Sequence, residues 1–354
     1  MSSERSSPLV PIALAAALVG GAIVWLHRPP RVSDDPLAAC PAGAFLAAKI
    51  DVAKIRATPL AALAEQALAG LVPEAARACD LPGRLESAAI VVPEGDERSD
   101  LGFALKLRMT PDELAKCARA AAGDGVPTET RGGFAFVAAK LGHADTLAAA
   151  ENGLVLVGER AWVEAMAAAA SGRAPSVVSS PPHDATLRGL GARTVSVSIS
   201  LPKATRARIR REMETEIATG GRRPMEGVLG VEAAGAGVDV RADADTDATV
   251  VLRCDTKDAC TSVKSLVESK KAGWSSSVAV RFLGLAAAAE SIAVTQTGTR
   301  VVATARLPTS DLKSALERAL AFRRSRSEPE PMRPPAPVEV VRDAGSPDAS
   351  ARDR

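Results

Sequence analysis

Two pairs of carboxylates stand where an alternating apolar run gives way to a helix signal: Asp112 with Glu113, and Asp255 with Asp258. Two carboxylates facing one bond from about 5–10 Å apart are enough for hydrolysis, one donating a proton while the other attacks or activates water. At the start of a helix the same residues have a plainer duty. Their charge meets the positive end of the helix dipole, and their oxygens accept from first-turn N–H groups that lack partners. Helix support is the expected role, and a hydrolase using these paired carboxylates is the alternative.

The five cysteines are Cys40, Cys79, Cys117, Cys254 and Cys260. No Cys-x-x-Cys occurs, so zinc-ribbon and thioredoxin-like chemistry have no support. In an oxidising compartment Cys254 and Cys260 would close a small loop at a strand-to-helix junction, and Cys79 and Cys117 would join two helices of the first half. Leu37-Ala38-Ala39-Cys40 has the residue types of a lipid-attachment box. Such a box directly follows the apolar core of an export signal, whereas here that core ends at Leu26 and Pro, Arg and Asp intervene. Cys40 therefore reads as an ordinary cysteine at the start of the folded body.

Asp243, Asp245 and Asp247 alternate as in a calcium loop, but Ala248 and Cys254 occupy the positions that need Gly and Glu. A hairpin with an acidic tip is expected instead. His27, His143 and His183 have no His-Glu-x-x-His companion, and no nucleophile elbow or phosphate loop is present. Gly235-x-Gly237 lacks the third glycine of a dinucleotide fingerprint. No catalytic residue, cofactor or metal site is expected. Lys203, Arg206, Arg208, Arg210 and Arg211 form a basic run, but Glu212 and Glu214 follow Arg208 and Arg210 at helical i,i+4 spacing. A solvated helix face is the expectation, with a binding patch as the alternative. A net charge of +2, six Phe, three Trp and no Tyr supply neither a basic field nor stacking rings, so nucleic acid is not an expected partner.

These residues sit on a duplicated framework. Residues 45–60 resemble 195–209, residues 101–121 resemble 249–268, and residues 146–170 resemble 291–320, at an offset of about 145–150. In the second match a strand closes on Leu107-Arg108 and Leu252-Arg253, followed by a helix cap. In the third, a strand, a turn at Asn152-Gly153 or Gly298 and a second strand lead into a helix. Short turns imply antiparallel pairing, so the expected fold is α+β, with two repeated halves at 41–172 and 193–322. Each is expected to be an antiparallel sheet covered by helices. A linker is expected at 173–192, rich in Ser, Pro and Gly, and a disordered tail at 323–354.

Residues 9–26, LVPIALAAALVGGAIVWL, carry no charge and would span about 27 Å as a helix, close to the roughly 30 Å of a bilayer's hydrocarbon. A transmembrane signal anchor is expected, with residues 1–8 as a cytoplasmic tail and 27–40 as a linker. A cleaved signal peptide and a buried helix are the competing readings, both set aside on the length of the run. Arg28 and Arg31 outnumber Arg5 and favour a cytoplasmic body, but a short tail before a single span ordinarily stays inside. The expected location is thus the inner membrane, single pass, with the bulk of the chain periplasmic. The expected function is a non-enzymatic bacterial envelope protein carrying a duplicated binding or scaffold module. Its expected partners are membrane lipid, through the N-terminal helix, and an envelope protein.

Overall fold

The computed structural model describes residues 31–71, 79–94, 101–110, 112–114, 116–117, 128–141, 144–218, 229–241 and 245–327. After a 3-10 turn at Pro36–Ala39, β1 (Ala44–Asp51) leads through α1 (Val52–Arg56), α2 (Ala61–Leu71) and α3 (Leu81–Arg84) to β2 (Leu85–Pro93). There follow β3 (Gly102–Leu107), β4 (Thr128–Arg131), β5 (Phe134–Leu141), β6 (Ala144–Ala150), β7 (Leu154–Gly158), α4 (Arg160–Ala170) and α5 (Pro181–Leu190). The second half runs β8 (Val195–Ser200), α6 (Lys203–Ala218), β9 (Val231–Asp239), β10 (Asp245–Cys254), α7 (Lys257–Ser276), α8 (Val278–Phe282), α9 (Ala286–Glu290), β11 (Ala293–Thr297), β12 (Arg300–Pro308) and α10 (Thr309–Ser327).

The twelve strands among the described residues belong to one sheet, ordered β11-β12-β10-β9-β8-β1-β2-β3-β7-β6-β5-β4. Read outward from the β1–β8 pair, the order is the same in both directions until the first half adds the β5–β4 hairpin. Ala48 faces Val197 at the centre of that antiparallel pair, flanked by Ala47 opposite Ser198 and Lys49 opposite Ser196.

The expected fold needs correction here. The α+β class stands, but the two halves do not have separate sheets, because the first strand of each pairs with the first strand of the other. An isolated half would present β1 or β8 as a bare edge, and joining the two edges satisfies both rows of backbone groups. No helix among the described residues is long and apolar enough to cross a membrane. The run at 9–26 lies outside the described residues, as does 328–354 of the expected tail, while 323–327 continue α10. Within the expected linkers, Pro181–Leu190 form α5. Leu37, Ala39 and Cys40 are buried in the core.

Each face of the sheet is covered differently. On one, Ala47, Ala89, Val91, Ala104, Leu154 and Leu156 lie beneath the 3-10 turn and α4. On the other, Val52, Leu85, Leu107, Leu114 and Val155 cluster in the first half. Val231, Cys254, Cys260, Val263 and Val301 cluster in the second. The alternation in β8 runs against ordinary expectation. Ser196, Ser198 and Ser200 are its buried residues, and Val195, Val197 and Ile199 are half-exposed. Serine is small enough to let α5 approach, and its hydroxyl then needs a partner.

That partner is His183 on α5, which is fully buried. Its Nε2 lies 2.9 Å from the carbonyl oxygen of Ala44 on β1, and its Nδ1 lies 2.9 Å from Ser198 Oγ on β8. A carbonyl only accepts, so Nε2 carries the proton and Nδ1 accepts from the serine hydroxyl. One neutral imidazole thus bolts the helix to both central strands. Burial holds the His183 pKa below its ordinary value, outweighing the opposite effect of the Ala44 bond.

Unfolded His183 takes up a proton below about pH 6.5, and native His183 resists it, so stability present at neutral pH is lost on acidification. We predict that the urea midpoint falls between pH 7.5 and pH 5, with a slope of up to about 1.4 kcal/mol per pH unit below pH 6.5. His183→Gln, compared by the same titration, should show a flatter dependence over that window.

Candidate functional site

The shared register lets equivalent positions be compared. Counting outward from the centre, Ala47, Val91 and Gly102 form one row across β1, β2 and β3. The matching row in the second half is Ser196, Gly237, Thr249 and Thr304, across β8, β9, β10 and β12. In the first half the row is closed over. Trp162 and Met166 of α4 press so near Gly102 that a Cβ there would lie 2.5 Å from Trp162 Nε1 and 2.7 Å from Met166 Sδ. In the second half threonines replace that flat floor. The helix after β12 is anchored elsewhere, Thr309 bonding to Thr246 at 2.9 Å and Arg318 to the carbonyl of Leu283.

A cleft of about 460 Å³ results, lined chiefly by Arg193, Arg241, Asp247, Thr249, Thr304 and Arg306. Asp247 is its hub, with a side chain only 17% exposed. Its Oδ2 accepts from Arg241 Nη2 at 2.6 Å and its Oδ1 from Arg306 Nε at 2.9 Å. Arg241 Nε also approaches Asp239 at 3.7 Å. Arg193 donates through Nε to Leu190 O at 2.7 Å and through Nη2 to Thr249 Oγ1 at 3.2 Å. Its stem crosses Gly237, where a Cβ would meet Arg193 Cγ at 2.8 Å.

Three guanidinium groups and one carboxylate leave this lining positive. Such a lining attracts and orients anions. Among the described residues its lining holds no histidine, cysteine or second carboxylate, so these residues supply no acid–base pair. The sequence gives these arginines no common signature. They lie at 193, 241 and 306, and only the strand order gathers them. Asp247 belongs to the acidic alternation, read there as a hairpin tip; Asp245 is exposed and Asp243 lies outside the described residues.

The residues singled out from sequence fall elsewhere. Cys79 and Cys117 are joined by a disulfide with Cα atoms 5.8 Å apart, and Cys254 and Cys260 by another at 5.5 Å. Cys40 is a buried free thiol whose pKa is pushed up to about 12, by burial and then by Asp35, which leaves it unreactive. On α6, Arg206 pairs with Asp255 at 2.8 Å and Arg208 with Glu212 at 4.0 Å. Lys203, Arg210 and Arg211 are exposed on the same helix. The basic run is therefore partly neutralised by its neighbours.

Glu113 accepts from the backbone N–H of Thr110 at 2.8 Å and from Arg84 at 2.7 Å, which together hold its pKa down to about 2. Asp112 is exposed beside it, and Asp258 lies in the first turn of α7. The two carboxylate pairs follow β3 and β10, which are five strand spacings apart in the sheet. At about 4.8 Å per spacing they stand roughly 24 Å apart, too far to act on one bond. Among the described residues no cluster of His, Cys, Asp and Glu could hold a metal ion; His143 lies outside them. Comparison with family models, curated proteins and solved structures finds no match.

The disulfides differ in loop length, with separations of 38 and 6 residues. Loop-closure entropy then assigns about 4 kcal/mol to Cys79–Cys117 and about 2 kcal/mol to Cys254–Cys260 as upper values. Cys79→Ser and Cys254→Ser, each measured by guanidinium denaturation with and without reductant, should lose stability in that order. Reductant should narrow the gap between each variant and the wild type.

Proposed function

We propose that this chain is a non-enzymatic envelope protein whose duplicated body is a binding or scaffold module. One observation carries this reading. The two halves share a register, yet the row that Trp162 and Met166 seal in the first half opens into an arginine-lined cleft in the second. A duplicated pair in which one copy closes the floor and the other leaves it open suits a division between support and capture. Two disulfides support a location in an oxidising compartment. The uncharged run at 9–26 supports placement at the inner membrane, and the disulfides favour a body on the periplasmic side. Membrane lipid, met by that run, and an envelope protein or small ligand are the partners proposed. The hydrolase alternative is disfavoured by the arginines that hold Glu113 and Asp255.

Two arms test the proposal on the full chain in its host membranes. Protease added to spheroplasts should digest the body, and a photo-crosslinker placed at Thr304 should yield a discrete adduct. A protected body overturns the location. An unlabelled cleft, together with no partner from crosslinked membranes and no ligand-induced rise in melting temperature, overturns the binding role.

A further inference from the structure

We infer that the cleft around Asp247 takes a phosphomonoester, a compact oxyanion carrying two negative charges. This rests on the binding-module reading and names its ligand class. Charge comes first. Among the described lining residues, Arg193, Arg241 and Arg306 against Asp247 leave an excess of two positive charges, part of which Asp239, outside the lining, offsets at 3.7 Å from Arg241.

Shape comes second. Arg241 and Arg306 are tied to the two oxygens of one carboxylate, so their guanidinium groups converge on one point. A dicarboxylate spreads its charge over two separated groups, whereas a phosphoryl group concentrates it on three oxygens within one tetrahedron. Arginine's planar fork grips such oxygens in pairs, and each fork has five N–H donors, of which Asp247 engages one from Arg241 and one from Arg306.

Hydroxyls come third. Thr249 and Thr304 line the same cleft and offer hydroxyl donors to the remaining oxygen, while Ser291 beside them is taken up by the carbonyls of Ala288 and Arg306. A cleft of about 460 Å³ also leaves room for the organic group that the phosphate esterifies. Asp247 is a positioning residue in this scheme, aiming two forks while cancelling one charge. Arg193 is preset by Leu190, Thr249 and the bare face of Gly237.

The same phosphomonoester chemistry occurs on a soluble small molecule and on a lipid headgroup. The test is calorimetric titration of the full chain in detergent with glycerol 3-phosphate, inorganic phosphate and succinate. Alongside it runs flotation with phosphatidylcholine vesicles with and without phosphatidate. Saturable binding is expected for glycerol 3-phosphate or for phosphatidate vesicles. It should strengthen as pH rises through about 6, where the monoester gains its second charge. It should weaken at least tenfold in Arg306→Gln and in Arg193→Gln, and less in Arg306→Lys, which keeps the charge and loses the fork. Circular dichroism identifies any variant that fails to fold.

Binding only to vesicles assigns the site to a lipid headgroup, and binding to the soluble ester assigns it to a free metabolite. Equal binding of succinate, or no loss in folded arginine variants, overturns the phosphomonoester. So does the absence of saturable binding to any phosphate probe. Should crosslinking at Thr304 still label a partner in that last case, the module reading survives while the ligand class falls.

Discussion

The antiparallel seam between β1 and β8 is the contact on which the rest of the molecule depends. It has five registered residue pairs, from Leu46 opposite Ile199 to Ile50 opposite Val195. One buried imidazole fastens it from above, donating to Ala44 and accepting from Ser198. Removing that ring would leave a carbonyl and a hydroxyl unpaired in a closed interior, at about 1–3 kcal/mol each. The cost falls on both halves, because the orphaned groups belong to different repeats.

With the seam fixed, small residues decide what each half does with its sheet. Gly102 lets α4 lie flat, and Trp162 and Met166 fill the space that a side chain would have occupied. Thr249 and Thr304 present branched hydroxyl side chains at the matching positions. A branched polar floor cannot receive a tryptophan without stranding its hydroxyls, so helix cover and open cleft are alternative outcomes of one architecture. Arginine then becomes the natural lining. Its aliphatic stem covers the sheet, as Arg193 covers Gly237, while its charged head stays toward the solvent side.

Local structure was legible in the sequence, and the joining of elements was not. Strand alternation marked β1, β8 and β10, and the Leu-Arg endings marked two strand-to-helix junctions. Asn152-Gly153 marked the β6–β7 turn, although the connection has three residues, 151–153, with Gly153 at φ 85°. Fusion of two sheets into one left no mark, because edge pairing between β1 and β8 is set by their meeting and not by either strand's pattern. The β4–β5 hairpin has no counterpart among the described residues of the second half, so comparison of repeats passed over it. His183 was hidden by its setting. A stretch of Ser, Pro and Gly reads as a linker, yet Pro181 and Pro182 open α5, where a missing N–H costs nothing. The arginine cleft was hidden for a third reason: its members are remote in the chain, and each reads alone as an ordinary surface charge.

The seam makes two repeats into one cooperative body. Hydrogen exchange followed by mass spectrometry, on the full chain across a guanidinium series, tests this most directly. Amides of β2 and β9, one strand out from the seam on either side, should converge on a single opening reaction at the same denaturant concentration. Exchange of β9 through a separate, lower-energy opening while β2 stays protected would show two independent domains in mere contact, contradicting the account.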